Sequence, residues 1–367
     1  MLTKLTPKLY SWASILDQGT QLQAERISRL PIVFDHVALM SDSHLGIGAT
    51  VGCVIPTIDA LVVSAVGVDI GCGIACAKTS LCLEDLPTDL TPLHLEFGRA
   101  IPAGVGRARS GTGESSRLVE QRVESWLKIN PPPHQLTQKQ SVATHSQLGT
   151  LGSGNHFLEV CLDESDNVWV MVHSGSRGIG NSLATQAMAV AKTEHKAKGT
   201  KLEDPDLAWL EAGTESFKTY VADMYWAQSY ALENRQIMLD EALKALFNLV
   251  NKGSVIYEIN CHHNFSREEV HLDTKVWLTR KGAIQANLGQ LGVIPGSMGA
   301  VSYVVSGLGN PDSYCSSSHG AGRQLSRGAA KRTFTVESLN AYMIGKAWDS
   351  KDVLSLLDEH PESYKPI

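Results

Sequence analysis

The chain has 367 residues, 43% of them hydrophobic, with 32 glycines and a formal net charge of −6. This is the composition of a globular protein with many tight turns, and it excludes a disordered tail and a global basic field, so any nucleic-acid contact must rest on local patches. Seven cysteines without a CxxC pair do not read as a disulfide framework and point to a reducing, cytoplasmic setting.

Residues 1–16 carry charged and polar groups where a signal peptide needs a continuous apolar core. Residues 32–40 read as a strand. The Ser41-Asp42-Ser43-His44-Leu45-Gly46 segment after it either serves a site or caps a loop, and is assigned the structural role. The most apolar region, 51–68, is broken by Pro56, Thr57 and Asp59 and is no membrane span. Its second half, 61–68, reads as a strand leading into Gly67-Val68-Asp69-Ile70-Gly71-Cys72-Gly73. Residues 128–144, with three consecutive prolines, read as a surface connection. Residues 157–162 and 168–172 read as strands around a polar turn. From about 202 to 250 the pattern is helical, with Met224, Ala227, Ala231, Asn234 and Met238 on one face. A strand at 255–259, a glycine-rich block at 282–309 and the 316–327 segment with its helix follow. The fold class is α+β: one large mixed-sheet catalytic domain over 1–367, carrying a helical insertion at about 202–250.

Several motifs place acid, thiol or imidazole groups beside glycine. Asp69 and Cys72 combine a hard oxygen with a soft sulfur, a set that suits a transition metal better than magnesium. If 157–162 and 168–172 form an antiparallel hairpin with Leu162 near Val168, paired numbers sum to about 330, which is the register that antiparallel pairing imposes. His156 and His173 then meet at the open end. Asn260-Cys261-His262-His263-Asn264 adds a further imidazole, and the residues alone do not choose between His262 and His263. The Gly296-Ser297-Met298-Gly299 turn with Ser302 offers hydroxyls and N–H groups to a phosphate or base. In 316–327, His319 lies among small residues, and Arg323, Arg327 and Lys331 recur at a spacing of four on one helical face. An imidazole beside an anion-binding face predicts chemistry on a phosphorylated substrate.

Taken in order, HLGIGATVG (44–52), VGVDIGCG (66–73), LGTLGSGNHFLEV (148–160), HSGSRGIG (173–180), CHHN (261–264), GVIPGSMG (292–299) and SSHGAGR (317–323) resemble the RtcB family of RNA-splicing ligases. The resemblance implies a GTP- and Mn²⁺-dependent RNA ligase for RNA repair or tRNA splicing. Such a ligase joins 3′-phosphate or 2′,3′-cyclic phosphate ends to 5′-hydroxyl ends. It implies that Asp69, Cys72, His156, His173 and His263 bind two Mn²⁺ ions with Cys72 bridging, and that His319 becomes guanylylated. Asn155, Glu159, Ser297, Ser302, Ala321, Gly322 and Tyr364 match nucleotide-contacting positions, and Arg177, Arg323 and Arg327 match groups that hold phosphate or RNA. An archease-like activator is an implied partner. The family pattern runs past Tyr364 and Lys365 to a Lys-Gly end whose lysine contacts the guanylate, whereas this chain stops at Ile367. A family C-terminal tail is therefore expected to be missing and guanylylation weakened. Two alternatives stand beside the ligase: a metal-dependent cyclic-phosphate phosphohydrolase, and an impaired paralogue that binds RNA ends. Ligation by Cys, His and Asp would equally suit Zn²⁺ or Co²⁺.

Overall fold

A computed structural model describes residues 2–104, 114–348 and 350–367. Two sheets frame the molecule. The larger has six strands, in the order Thr3–Thr6, Leu9–Ser11, Val37–His44, Val51–Thr57, Thr274–Lys281 and Asn264–His271; only the Leu9–Ser11 and Val37–His44 pair is parallel. The smaller is antiparallel throughout, in the order Val255–His262, Gly73–Cys82, Asn167–Ser174 and Phe157–Leu162. With helices packed against both, this is the expected α+β architecture.

The hairpin register is the anticipated one: Leu162 pairs with Val168 and Phe157 with His173, so His156 lies at the hairpin mouth. The apolar run 51–68 divides instead of forming a strand in its second half. Val51–Thr57 is one strand, Asp59 turns the chain with φ 51°, and Ala60–Val62 is followed by a short helix, Val63–Val66. A short apolar run carries no periodicity that separates strand from helix, so neighbouring structure decides.

The helical segment expected at 202–250 resolves into a 3-10 turn at Pro205–Leu207, a strand at Trp209–Glu211 and one 36-residue helix, Glu215–Val250. Thr214 caps it by accepting from the Phe217 N–H, and Asn251 ends it in the left-handed region at φ 55°. The predicted face, Met224, Ala227, Ala231, Asn234 and Met238, is wholly buried. Tyr220, Met224, Ala227 and Tyr230 belong to one apolar cluster, and Met238, Leu239, Ala242, Leu243 and Leu246 to another. The helix is therefore an interior spine joining two cores.

Both sheets meet at the candidate ligands. His263 is the single residue between Val255–His262 of the smaller sheet and Asn264–His271 of the larger. Its N–H donates to the Cys72 carbonyl at 2.7 Å, which ties the crossing point to the loop before Gly73–Cys82. Among the described residues, no helix is long and apolar enough to cross a membrane.

Candidate metal centre and nucleotide pocket

Asp69, Cys72, His156, His173 and His263, distant in sequence, converge on one point. Cys72 Sγ lies 3.5 Å from His156 Nε2 and 3.3 Å from His173 Nε2. His156 Nε2 is 3.0 Å from Asp69 Oδ2, and His173 Nε2 is 3.4 Å from His263 Nε2. The ligating atoms form two overlapping groups, Asp69–Cys72–His156 and Cys72–His173–His263, which share Cys72. The neighbouring histidine is turned away: His262 Nδ1 lies 2.8 Å from the Gly71 carbonyl and 3.2 Å from Arg235. Gly175 is needed close by, since an added methyl would collide with the Asp69 carboxylate.

The donor chemistry fits metal ions. His156 Nδ1 faces the Leu151 carbonyl at 3.1 Å and His173 Nδ1 the Asn155 carbonyl at 2.7 Å. A carbonyl only accepts, so both Nδ1 atoms carry the proton and both Nε2 atoms present lone pairs inward. These lone pairs face a carboxylate oxygen and another imidazole nitrogen, so a proton or a cation must lie between them. Burial, then the nearby His156, depresses the His173 pKa to about 3, and burial with His319 and His173 pushes His263 well below its ordinary value. Burial, then Asp69, raises the Cys72 thiol, so that sulfur gives up its proton only to a strong competitor such as a divalent ion.

His319 stands beside this cluster, its ring centroid 4.7 Å from that of His263. One carboxylate oxygen holds it: Asp42 Oδ2 accepts from the His319 ring Nδ1 at 2.6 Å, the His319 backbone N–H at 2.9 Å and the Gly320 N–H at 3.3 Å. Asp42 is only 1% exposed. Its assignment to a purely structural role is thus corrected, because its carboxylate sets the orientation of the His319 imidazole. Gly322 sits at φ 75°, and a methyl there would strike the Asp42 carbonyl.

The residues matched to nucleotide contacts fall into separate places. Ser297, Ala321 and Tyr364 line a cavity of about 560 Å³ with Gln324, Tyr342 and Lys365. Gly322 adjoins its wall, its carbonyl accepting from the Lys365 N–H. Ser302 Oγ donates to Glu159 Oε1 at 3.5 Å and accepts from the Gly296 N–H at 3.1 Å, while burial raises the Glu159 carboxyl. Asn155 is exposed, and its carbonyl is the partner of His173. Neither Glu159 nor Asn155 lines the cavity.

The arginines differ from their sequence reading. The helix begins only at Arg327, capped by Ser326, so Arg323 precedes it. The left-handed Gly322 and the Ser326 cap prevent a helix from starting earlier. Arg323 pairs with Glu359 at 3.2 Å, lies over the Tyr364 ring at 4.8 Å and donates to the Tyr364 hydroxyl at 2.9 Å. Arg327 pairs with Asp358 at 3.1 Å and with Glu359. Acids of this chain therefore already engage both guanidinium groups. Arg177, at φ 58°, donates to Thr150 Oγ1 at 3.2 Å and packs over Gly152 beside His156.

Two further polar groups, Arg235, absent from the sequence reading, and Asn234, read there only as part of a helical face, are fully buried on the long helix and bonded to the loops that carry the ligands. The available signal was Asn234 on an otherwise apolar helical face.

A family model described as tRNA-splicing ligase RtcB matches residues 23–367. The RNA-splicing ligase RtcB of Escherichia coli (strain K12) is 41% identical over 98% of this chain and 91% of its own length. The tRNA-splicing ligases RtcB of Methanococcus maripaludis and Pyrobaculum aerophilum are 30% and 28% identical, over 94% and 99% of this chain and 85% and 90% of their own lengths. Since the match extends from the first sheet through the ligand loops to the His319 segment, the chain belongs to the RtcB family of tRNA-splicing ligases.

Proposed function

We propose that this chain is a GTP- and Mn²⁺-dependent RNA ligase. It joins 3′-phosphate or 2′,3′-cyclic phosphate ends to 5′-hydroxyl ends, in RNA repair or tRNA splicing, through GMP carried on His319. The observation that carries the reading is the buried Asp42 carboxylate on His319 Nδ1. It fixes the proton on Nδ1 and leaves the Nε2 lone pair as the nucleophile, next to the cluster of Asp69, Cys72, His156, His173 and His263.

In the first step His319 Nε2 forms a bond to the α-phosphorus of GTP, and the bond to pyrophosphate breaks. An oxygen of the RNA 3′-phosphate then takes the GMP and returns the lone pair to Nε2. Last, the 5′-hydroxyl oxygen attacks the activated 3′-phosphorus, loses its proton and expels GMP. A cyclic end is first opened by water. The Asp42 carboxylate stabilises the imidazole while Nε2 carries the phosphoryl group. Two Mn²⁺ ions held by the five ligands would neutralise phosphate charge and align the reacting groups. Ser297, Ser302, Ala321, Gly322, Glu159, Asn155 and Tyr364 are assigned to the guanylate, and Arg177, Arg323 and Arg327 to phosphate or RNA. The last two would first have to exchange their acidic partners. Cysteine usage supports a cytoplasmic setting, and an archease-like activator is a candidate partner.

Incubating the chain with a 3′-phosphate RNA, a 5′-hydroxyl RNA, GTP and Mn²⁺ should yield a joined product that depends on GTP. Opening of a cyclic phosphate without joining would favour the phosphohydrolase instead.

A further inference from the structure

Arg235 is fully buried, and each of its hydrogen bonds among the described residues goes to a neutral partner rather than a carboxylate. A buried charge without such a partner is costly, and well-packed apolar side chains at the same place often fold as well or better. Its contacts show what it does there. One Nη1 donates to the Gly71 carbonyl at 2.7 Å and the Ser174 carbonyl at 3.0 Å. Nε donates to Asn260 Oδ1 at 2.9 Å, and Nη2 lies 3.2 Å from His262 Nδ1. Gly71, Ser174 and His262 are each one residue from Cys72, His173 and His263.

The adjacent Asn234 repeats the pattern on the other side. Its Oδ1 accepts from the Gly149 and Thr150 N–H groups at 2.6 and 3.2 Å. Its Nδ2 donates to Ser174 Oγ at 3.2 Å and the Gly175 carbonyl at 3.1 Å. Ser174 Oγ in turn donates to the Leu151 carbonyl, the same oxygen that orients His156. Two consecutive residues of one helix thereby contact the neighbours of Cys72, His173 and His263 directly, and connect to His156 through Ser174 and the Leu151 carbonyl.

We infer that Arg235, assisted by Asn234, is a positioning residue that locks the ligand loops in their metal-binding arrangement from the interior. The inference rests on the metal reading of the cluster. A planar guanidinium suits this task because its donors are fixed relative to one another, whereas a lysine ammonium is a single mobile point. Outer contacts of this kind set ligand geometry and with it metal affinity.

The sign of the effect distinguishes positioning from charge. A cation near a cation site repels metal, so if Arg235 acted through charge alone, Arg235→Met would bind metal more tightly. Positioning predicts weaker binding. The test titrates Co²⁺ into the full chain and follows thiolate-to-cobalt absorption and calorimetry, with folding of each variant checked by circular dichroism and melting. Arg235→Met should lose roughly 10–100-fold in Co²⁺ affinity. Arg235→Lys, which keeps the charge without the fork, should lose affinity in the same direction by less. Unchanged or tighter binding in a folded variant overturns the inference. If Arg235→Met does not fold, Arg235→Lys carries the decision on the same terms. Failure of the wild-type chain to bind Co²⁺ would overturn the metal reading and this inference with it.

Discussion

Replacing Asp42 by asparagine is expected to slow the proposed transfer of GMP onto His319 by up to roughly 10⁴-fold, the loss seen when a buried carboxylate that fixes a catalytic imidazole tautomer becomes an amide. Asp42 Oδ2 accepts three N–H groups, from His319 Nδ1, the His319 backbone and Gly320. Because all three bonds go to this one oxygen, an asparagine keeps them only if its own oxygen lies there, and the carboxylate's negative charge is then lost from beneath the imidazole. If its oxygen keeps the backbone N–H groups, its nitrogen is left without an acceptor in a buried site. If its nitrogen turns toward His319 Nδ1, the ring proton moves to Nε2, the atom proposed as the nucleophile. Both outcomes remove the free lone pair or the support beneath it. Metal binding should survive, because Asp42 is not among the grouped ligands. Single-turnover formation of the protein–GMP adduct, with a parallel Co²⁺ titration, measures both. A rate within about threefold of wild type would show that Asp42 does not set the tautomer.

The second large effect is expected at Cys72. It is the member common to both ligand groups, so Cys72→Ala removes a donor from each while every other ligand removes a donor from one. Cys72→Ala should reduce metal affinity at both positions by more than the roughly 10–100-fold that loss of an outer contact costs. Ligation should fall below detection, and added metal should restore it only partly. Asp69→Ala should lower binding at one position and spare the Cys72–His173–His263 group. Stoichiometry from calorimetry separates the two variants. Equal losses in Cys72→Ala and Asp69→Ala would contradict a shared sulfur.

Much of the candidate site was legible in the sequence because its chemistry is carried by short local segments. The hairpin brought His156 and His173 together from strand length and turn position alone, and register followed from antiparallel pairing. The His262/His263 choice was not legible locally, since both follow the same strand. In the structure His262 turns away from the cluster, toward the Gly71 carbonyl and Arg235 of a helix distant in sequence. Asp42 was misread for a related reason. Its partner His319 is 277 residues away, and nothing near Asp42 distinguishes a carboxylate that holds an imidazole from one that caps a loop.

The same division runs through the fold. The long helix declared itself by periodicity because an apolar face repeated over many turns. The Gly73–Cys82 strand did not, although it lies inside the smaller sheet with partners on both edges. Its glycine, alanines and lysine have low intrinsic strand preference, so pairing and burial rather than composition make it a strand. The arginines of the 316–327 segment show the limit of spacing arguments. A four-residue repeat predicts one helical face, yet the left-handed Gly322 and the Ser326 cap start the helix one turn later.

The most direct test of the account is the intact mass of the full chain after incubation with GTP and Mn²⁺. The account predicts a covalent shift of one GMP that is absent from His319→Ala and strongly reduced in Asp42→Asn. A wild-type chain that gains no nucleotide mass, or a His319→Ala chain that still gains it, would contradict His319 as the carrier.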